Sequence, residues 1–126
     1  MYDNDFIYEE IGDICIETVN FSRATLKETE VFRNRIGDDI ENGKRNIIID
    51  LSLCEFCDSS FIGALVVCTK KSFSKGVRFS IVVQPDTSLF DIFHSIRLDR
   101  VLSIYKSKED ALKYFAENNY INKPDE

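Results

Sequence analysis

Residues 46–65 read Asn46-Ile47-Ile48-Ile49-Asp50-Leu51-Ser52-Leu53-Cys54-Glu55-Phe56-Cys57-Asp58-Ser59-Ser60-Phe61-Ile62-Gly63-Ala64-Leu65. The triplet Ile47-Ile48-Ile49 is a continuous apolar run bounded by polar residues. That is the pattern of a strand buried on both faces, in the middle of a sheet covered by helices. Small polar residues then lead into an apolar stretch that predicts a helix from Ser59 or Ser60 to Lys75, ended by Gly76. Asp58 or Ser59 is placed to cap it, accepting a hydrogen bond from a free N–H of the first turn. A cap accounts for one of the three polar residues Asp58, Ser59 and Ser60. In open α/β sheets the carboxyl end of a central strand is where functional sites collect.

Upstream, Phe6 to Ile11 and Ile14 to Val19 read as two short strands around the turn signal Gly12-Asp13. Phe32, Ile36 and Ile40 recur at four-residue spacing, which predicts an amphipathic helix from about Ser22 to Asn42, stopped by Gly43. Downstream, Val77 to Val83 is the next strand, and Asp86 or Thr87 caps a short helix carrying Leu89, Phe90 and Phe93. Val101 to Tyr105 is expected as a fifth strand. Ser107, with Asp110 three positions on, opens a last helix with Ala111, Leu112 and Phe115 on its apolar face. The order β-β-α-β-α-β-α-β-α makes a single α/β domain with a mixed sheet. The domain is expected over residues 1–117, followed by a polar C-terminal tail over 118–126 that holds Pro124.

The chain has 126 residues, suited to one domain. Its hydrophobic content of 44%, with 10 Phe, excludes a disordered chain. With 22 acidic against 16 basic residues the net charge is −6, which argues against nucleic acid and against anionic membrane surfaces as partners. No apolar run approaches the roughly 20 residues of a spanning helix. The acidic N-terminus is the reverse of a targeting peptide, and a cytoplasmic location is expected. Cys15, Cys54, Cys57 and Cys68 are then read as thiols.

Several other constellations have residue types that could carry chemistry. Cys54-Glu55-Phe56-Cys57 has the C-x-x-C spacing of a redox pair. Asp58 opposes thiolate formation beside it, and small buried thiols are the commoner outcome. Cys15 and Cys68 lack paired spacing and His94 has no partner triad, so no metal site is expected. His94 is read as a surface or half-buried ring, and Asp50 as a structural hydrogen-bonding group without a second carboxylate to work with. Gly37, Gly43 and Gly76 form no phosphate-cradling loop, and Lys70, Lys71 and Lys75 are the wet face of their helix. The sequence is therefore expected to be neither an enzyme nor a cofactor binder.

Three stretches belong together: Ile48-Ile49-Asp50-Leu51-Ser52; Asp58-Ser59-Ser60 with Gly63 and Leu65; and Leu98-Asp99-Arg100-Val101 followed by Ser107-Lys108-Glu109-Asp110-Ala111-Leu112. In this order they resemble the STAS-domain family, and within it the free-standing anti-sigma factor antagonists. The resemblance implies a STAS-like domain with helices packed chiefly on one side of the sheet. It implies that Ser59 is a phosphoacceptor, flanked by Asp58 and Ser60, in a partner-switching system. The implied partners are an anti-sigma factor serine kinase, released by phosphorylation, and a phosphatase that restores binding. Phe61 stands where the family often has glycine, and is expected either in the core or exposed as a docking anchor. Ser22 stands where many antagonists have aspartate, in a loop expected near Ser59, and Arg97 replaces a common glycine. The alternative from the same family is a non-phosphorylated adaptor subunit of a transporter or signalling scaffold.

Overall fold

The computed structural model describes residues 5–121. Two strands, β1 (Phe6–Ile11) and β2 (Ile14–Val19), pair antiparallel around Gly12, whose φ of +62° suits the turn. After a two-residue strand β3 (Arg23–Ala24) comes helix α1 (Leu26–Glu41), then the central strand β4 (Asn46–Asp50). A second two-residue strand, β5 (Phe56–Cys57), leads into helix α2 (Ser59–Ser74). Strand β6 (Arg78–Val82), helix α3 (Ser88–Ser95), a 3-10 turn at Leu98–Arg100, strand β7 (Ile104–Tyr105) and helix α4 (Lys108–Ile121) complete the described residues.

The main sheet has the order β1-β2-β4-β6-β7, antiparallel between β1 and β2 and parallel elsewhere. The isoleucine triplet of β4 lies in its middle with every residue buried. Alternation along the strand divides the triplet between two cores. Ile47 and Ile49 join Phe32 and Ile36 of α1, Phe61 and Leu65 of α2, and Leu89 and Phe93 of α3 on one side. Ile48 joins Ile14, Ile16 and Val82 beneath Ala111 and Phe115 of α4 on the other. Three helices thus cover one face and one helix the other. Among the described residues, no helix is long and apolar enough to cross a membrane.

The structure departs from the sequence reading at three places. Helix α1 starts at Leu26, not Ser22, because Arg23 and Ala24 are held extended by pairing with Phe56 and Cys57 in a separate two-stranded sheet. Thr25 then caps the helix in a reciprocal box with Glu28. The fifth expected strand shrinks to Ile104–Tyr105, since residues 98–100 form the 3-10 turn. Helix α4 continues to Ile121, so residues 118–121, expected in the tail, extend it; residues 122–126 lie outside the described residues. At Arg97, the position of the family's common glycine, the backbone is left-handed at φ 65° and ψ 32°. That conformation costs a side-chain-bearing residue roughly 1 kcal/mol, and it explains why glycine suits the place.

Candidate functional site

The segment after β4 begins with a local anchor. The carboxylate of Asp50 accepts from the Ser52 N–H at 2.9 Å, the structural role expected of it, and Leu51 N–H reaches the Val82 carbonyl at 2.9 Å. The chain then passes under the loop that follows β2. The Ser22 carbonyl accepts from the N–H groups of Glu55 and Phe56 at 2.8 and 3.0 Å, and the Ala24 carbonyl accepts from Asp58 N–H at 2.9 Å. Arg23 stacks its guanidinium 4.3 Å from the Phe56 ring. The Ser22 loop therefore lies against the approach to Ser59, as expected. Ser22 itself is exposed, so it is available to a partner.

Asp58 is the N-cap of α2, with extended backbone (φ −84°, ψ 176°). One carboxylate oxygen accepts from Phe61 N–H at 3.0 Å. The other accepts from Leu26 N–H of α1, also at 3.0 Å. A single carboxylate thus satisfies free amides at the starts of two helices, where the helix dipoles favour negative charge. The sequence identifies Asp58 as a cap, but nothing local signals its second bond. That bond depends on β3 and β5 lying side by side, and a pair of two-residue strands leaves no periodicity to read.

Ser59 is the first residue of α2 and is exposed; Ser60 beside it is half-buried. Leu26 and Leu53, 69% and 52% exposed, stand on the two segments joined here. Phe61, by contrast, is fully buried: its ring lies 4.9 Å from that of Phe32 and 6.5 Å from that of Phe21. The reading of Phe61 as a docking anchor is therefore corrected. The third position of the helix points inward onto α1, and the large ring fills the space between the helices. The Ser22 loop is thus bonded through its backbone to the segment that leads into Asp58, Ser22 and Ser59 are both exposed, and Phe61 is buried two residues after Ser59.

The other chemistry-bearing residues lie apart from this surface or beneath it. His94 is exposed and stacks parallel to Phe90 at 6.4 Å. The sulfurs of Cys54 and Cys57 are 4.0 Å apart and buried. Glu17 of β2, absent from the sequence reading, is fully buried and accepts from Arg35 Nε at 2.6 Å. Burial, and the neighbouring Asp39 carboxyl, push its pKa up to about 8. No local pattern marked it, because an isolated glutamate in an alternating strand reads as solvent-facing.

A family model described as STAS domain matches residues 2–111. A curated relative from Thermotoga maritima, provisionally named an anti-sigma factor antagonist, is 27% identical over 109 residues, covering 86% of this chain and 95% of its own. The crystal structure of a T. maritima protein of the same provisional name superposes with a TM-score of 0.78 at 25% identity, over 86% of this chain and 92% of that one. The Bacillus cell fate determinant SpoIIAA in its phosphorylated form shares the fold, with a TM-score of 0.64 at 19% identity, over 86% of this chain and 97% of its own.

Proposed function

The chain belongs to the STAS domain family, and on that premise we propose that it is an anti-sigma factor antagonist switched by phosphorylation of Ser59. The observation that carries the reading is the exposed Ser59 hydroxyl at the start of α2, next to a carboxylate that ties α2 to α1. The fold match to relatives named as antagonists supports it. The protein acts by binding: an anti-sigma factor serine kinase docks on the surface around Ser59, Ser22, Leu26 and Leu53, and a phosphatase reverses the modification.

The physical sense of the switch follows from charge. A phosphate on Ser59 brings about −1.5 to −2 charge at neutral pH. Asp58 already holds the Phe61 and Leu26 amides, so the phosphate meets a like charge and fewer free donors. The helix N-terminus returns roughly 0.3–1 kcal/mol at an exposed position. Burying the remaining charge in an interface without a cation costs several kcal/mol. With about 1.4 kcal/mol for each tenfold in affinity, one phosphate dissociates the complex while the domain stays folded.

The test is incubation of the full chain with ATP and the candidate kinase, followed by intact mass and peptide mapping. One phosphate on the Ser59 peptide, absent in Ser59→Ala with folding intact, is the expected result. Equal labelling of variant and wild type overturns the assignment to Ser59. A stable complex without any labelling replaces the switch with the adaptor reading.

A further inference from the structure

Cys54 and Cys57 have no part in the function proposed above, yet their thiols lie in contact with each other. Both are buried, and their sulfurs are 4.0 Å apart. The Cys54 thiol also faces the Phe56 carbonyl at 3.3 Å and the Ser22 carbonyl at 3.6 Å. Cys57 is held in β5 by its pairing with Ala24. Cys54 sits in the connection from β4, between the exposed residues Leu53 and Glu55.

The remaining two cysteines are a comparison within the same molecule. Cys15 and Cys68 are equally buried, and burial pushes their thiols up to about 12 and about 11. Cys54 moves the other way, because the Cys57 thiol beside it stabilises its thiolate by hydrogen bonding. Cys57 is pushed up by that same contact and by burial, with Asp58 adding to it. The negative charge of Asp58 therefore acts on Cys57, the partner that keeps its proton.

We propose that Cys54 and Cys57 are a reversible dithiol–disulfide site, oxidised by small-molecule disulfides of the glutathione type. The Cys54 thiolate attacks one sulfur of the oxidant, forming a mixed disulfide and releasing one thiolate, which takes up a proton. Cys57 then gives up its proton, attacks the Cys54 sulfur and expels the second thiol. The protein dithiol loses two electrons and two protons, and one disulfide becomes two thiols. A sulfur–sulfur bond is about 2.05 Å, so closure requires roughly 2 Å of approach. Cys54 supplies that movement, since Cys57 is fixed in the two-stranded sheet. It exchanges its contacts with the Ser22 and Phe56 carbonyls for the covalent bond. The site stands whether or not Ser59 is phosphorylated.

The test equilibrates the full chain in oxygen-free buffers of varied reduced-to-oxidised glutathione ratio, with acid quench, alkylation of remaining thiols after denaturation, and peptide mapping. The expected result is a monomer in which Cys54 and Cys57 are joined, Cys15 and Cys68 are alkylated, and dithiothreitol restores all four thiols. Cys57→Ser is expected to stop at a mixed disulfide on Cys54. In the native reduced chain, iodoacetamide is expected to reach Cys54 about tenfold faster than Cys15 or Cys68. Four free thiols across the whole series overturn the proposal, as do disulfides that join two chains or involve Cys15 or Cys68. Should Cys57→Ser fail to fold, the mapping of the wild-type chain decides alone.

Discussion

Helices α2 and α3 start from nearly the same local sequence and end up in different structural positions. Asp58-Ser59-Ser60-Phe61 and Thr87-Ser88-Leu89-Phe90 both place a capping residue, then an exposed serine, then a phenylalanine at the third helical position. In each, the cap side chain accepts from the phenylalanine N–H, at 3.0 Å in α2 and 3.1 Å in α3. The difference lies in what else the cap holds. Asp58 also takes the first amide of α1, whereas Thr87 gives its hydroxyl proton to the Gln84 carbonyl of its own loop. Phe61 is sealed between two helices, while Phe90 is half-buried against the exposed His94. A helix start becomes a joint when its cap is charged and a second helix start lies within reach. The serine motif by itself does not distinguish the two.

The largest effect that bears on this contrast is covalent. Ser59→Ala is expected to abolish phosphate incorporation by the cognate kinase and Ser88→Ala to leave it intact, read by mass and phosphopeptide mapping; labelling at Ser88 would break the comparison. Next come the caps. Thr87→Ala is expected to cost about 1 kcal/mol in denaturant unfolding, the usual loss of a cap. Asp58→Ala frees two amides in place of one and is expected to cost about 2 kcal/mol or more. Equal losses would mean that the bond to Leu26 contributes nothing.

A third experiment separates the two helix starts from the rest of the domain. Glu17 has its pKa raised from the ordinary 4.5 to about 8 by burial, beside Asp39 and Arg35 of α1 and Cys15 of its own strand. The folded state therefore keeps a proton that the unfolded state has lost. The stability it contributes is complete below about 4.5, falls by roughly 1 kcal/mol per pH unit up to about 8, and is flat above. Compared with wild type, Glu17→Gln is expected to remove this fall in unfolding free energy over that window. Both helix starts should retain their relative stabilities throughout. The smallest effect is expected at Arg97: Arg97→Gly relieves the left-handed backbone and raises stability by about 1 kcal/mol at most, the gain being offset by glycine's greater freedom in the unfolded chain. A loss of stability there would show that the arginine side chain contributes more than its backbone costs.

Features that depend on local pattern and composition could be read from the residues alone. The apolar triplet Ile47-Ile48-Ile49 placed a strand in the middle of a helix-covered sheet, because only a strand buried on both faces needs apolar residues without alternation. Asp58 as a cap was legible for the same reason, since a helix start must satisfy its own amides. Features that depend on segments far apart in the chain emerged from the packed fold. Pairing of Arg23–Ala24 with Phe56–Cys57 delayed α1 to Leu26 and brought its first amide to Asp58 across 32 positions. The same packing turned Phe61 inward and buried Glu17 against Arg35. Residue type limits what a side chain can do, but burial and partners set its charge and its reach, and those are fixed only when the helices meet the sheet.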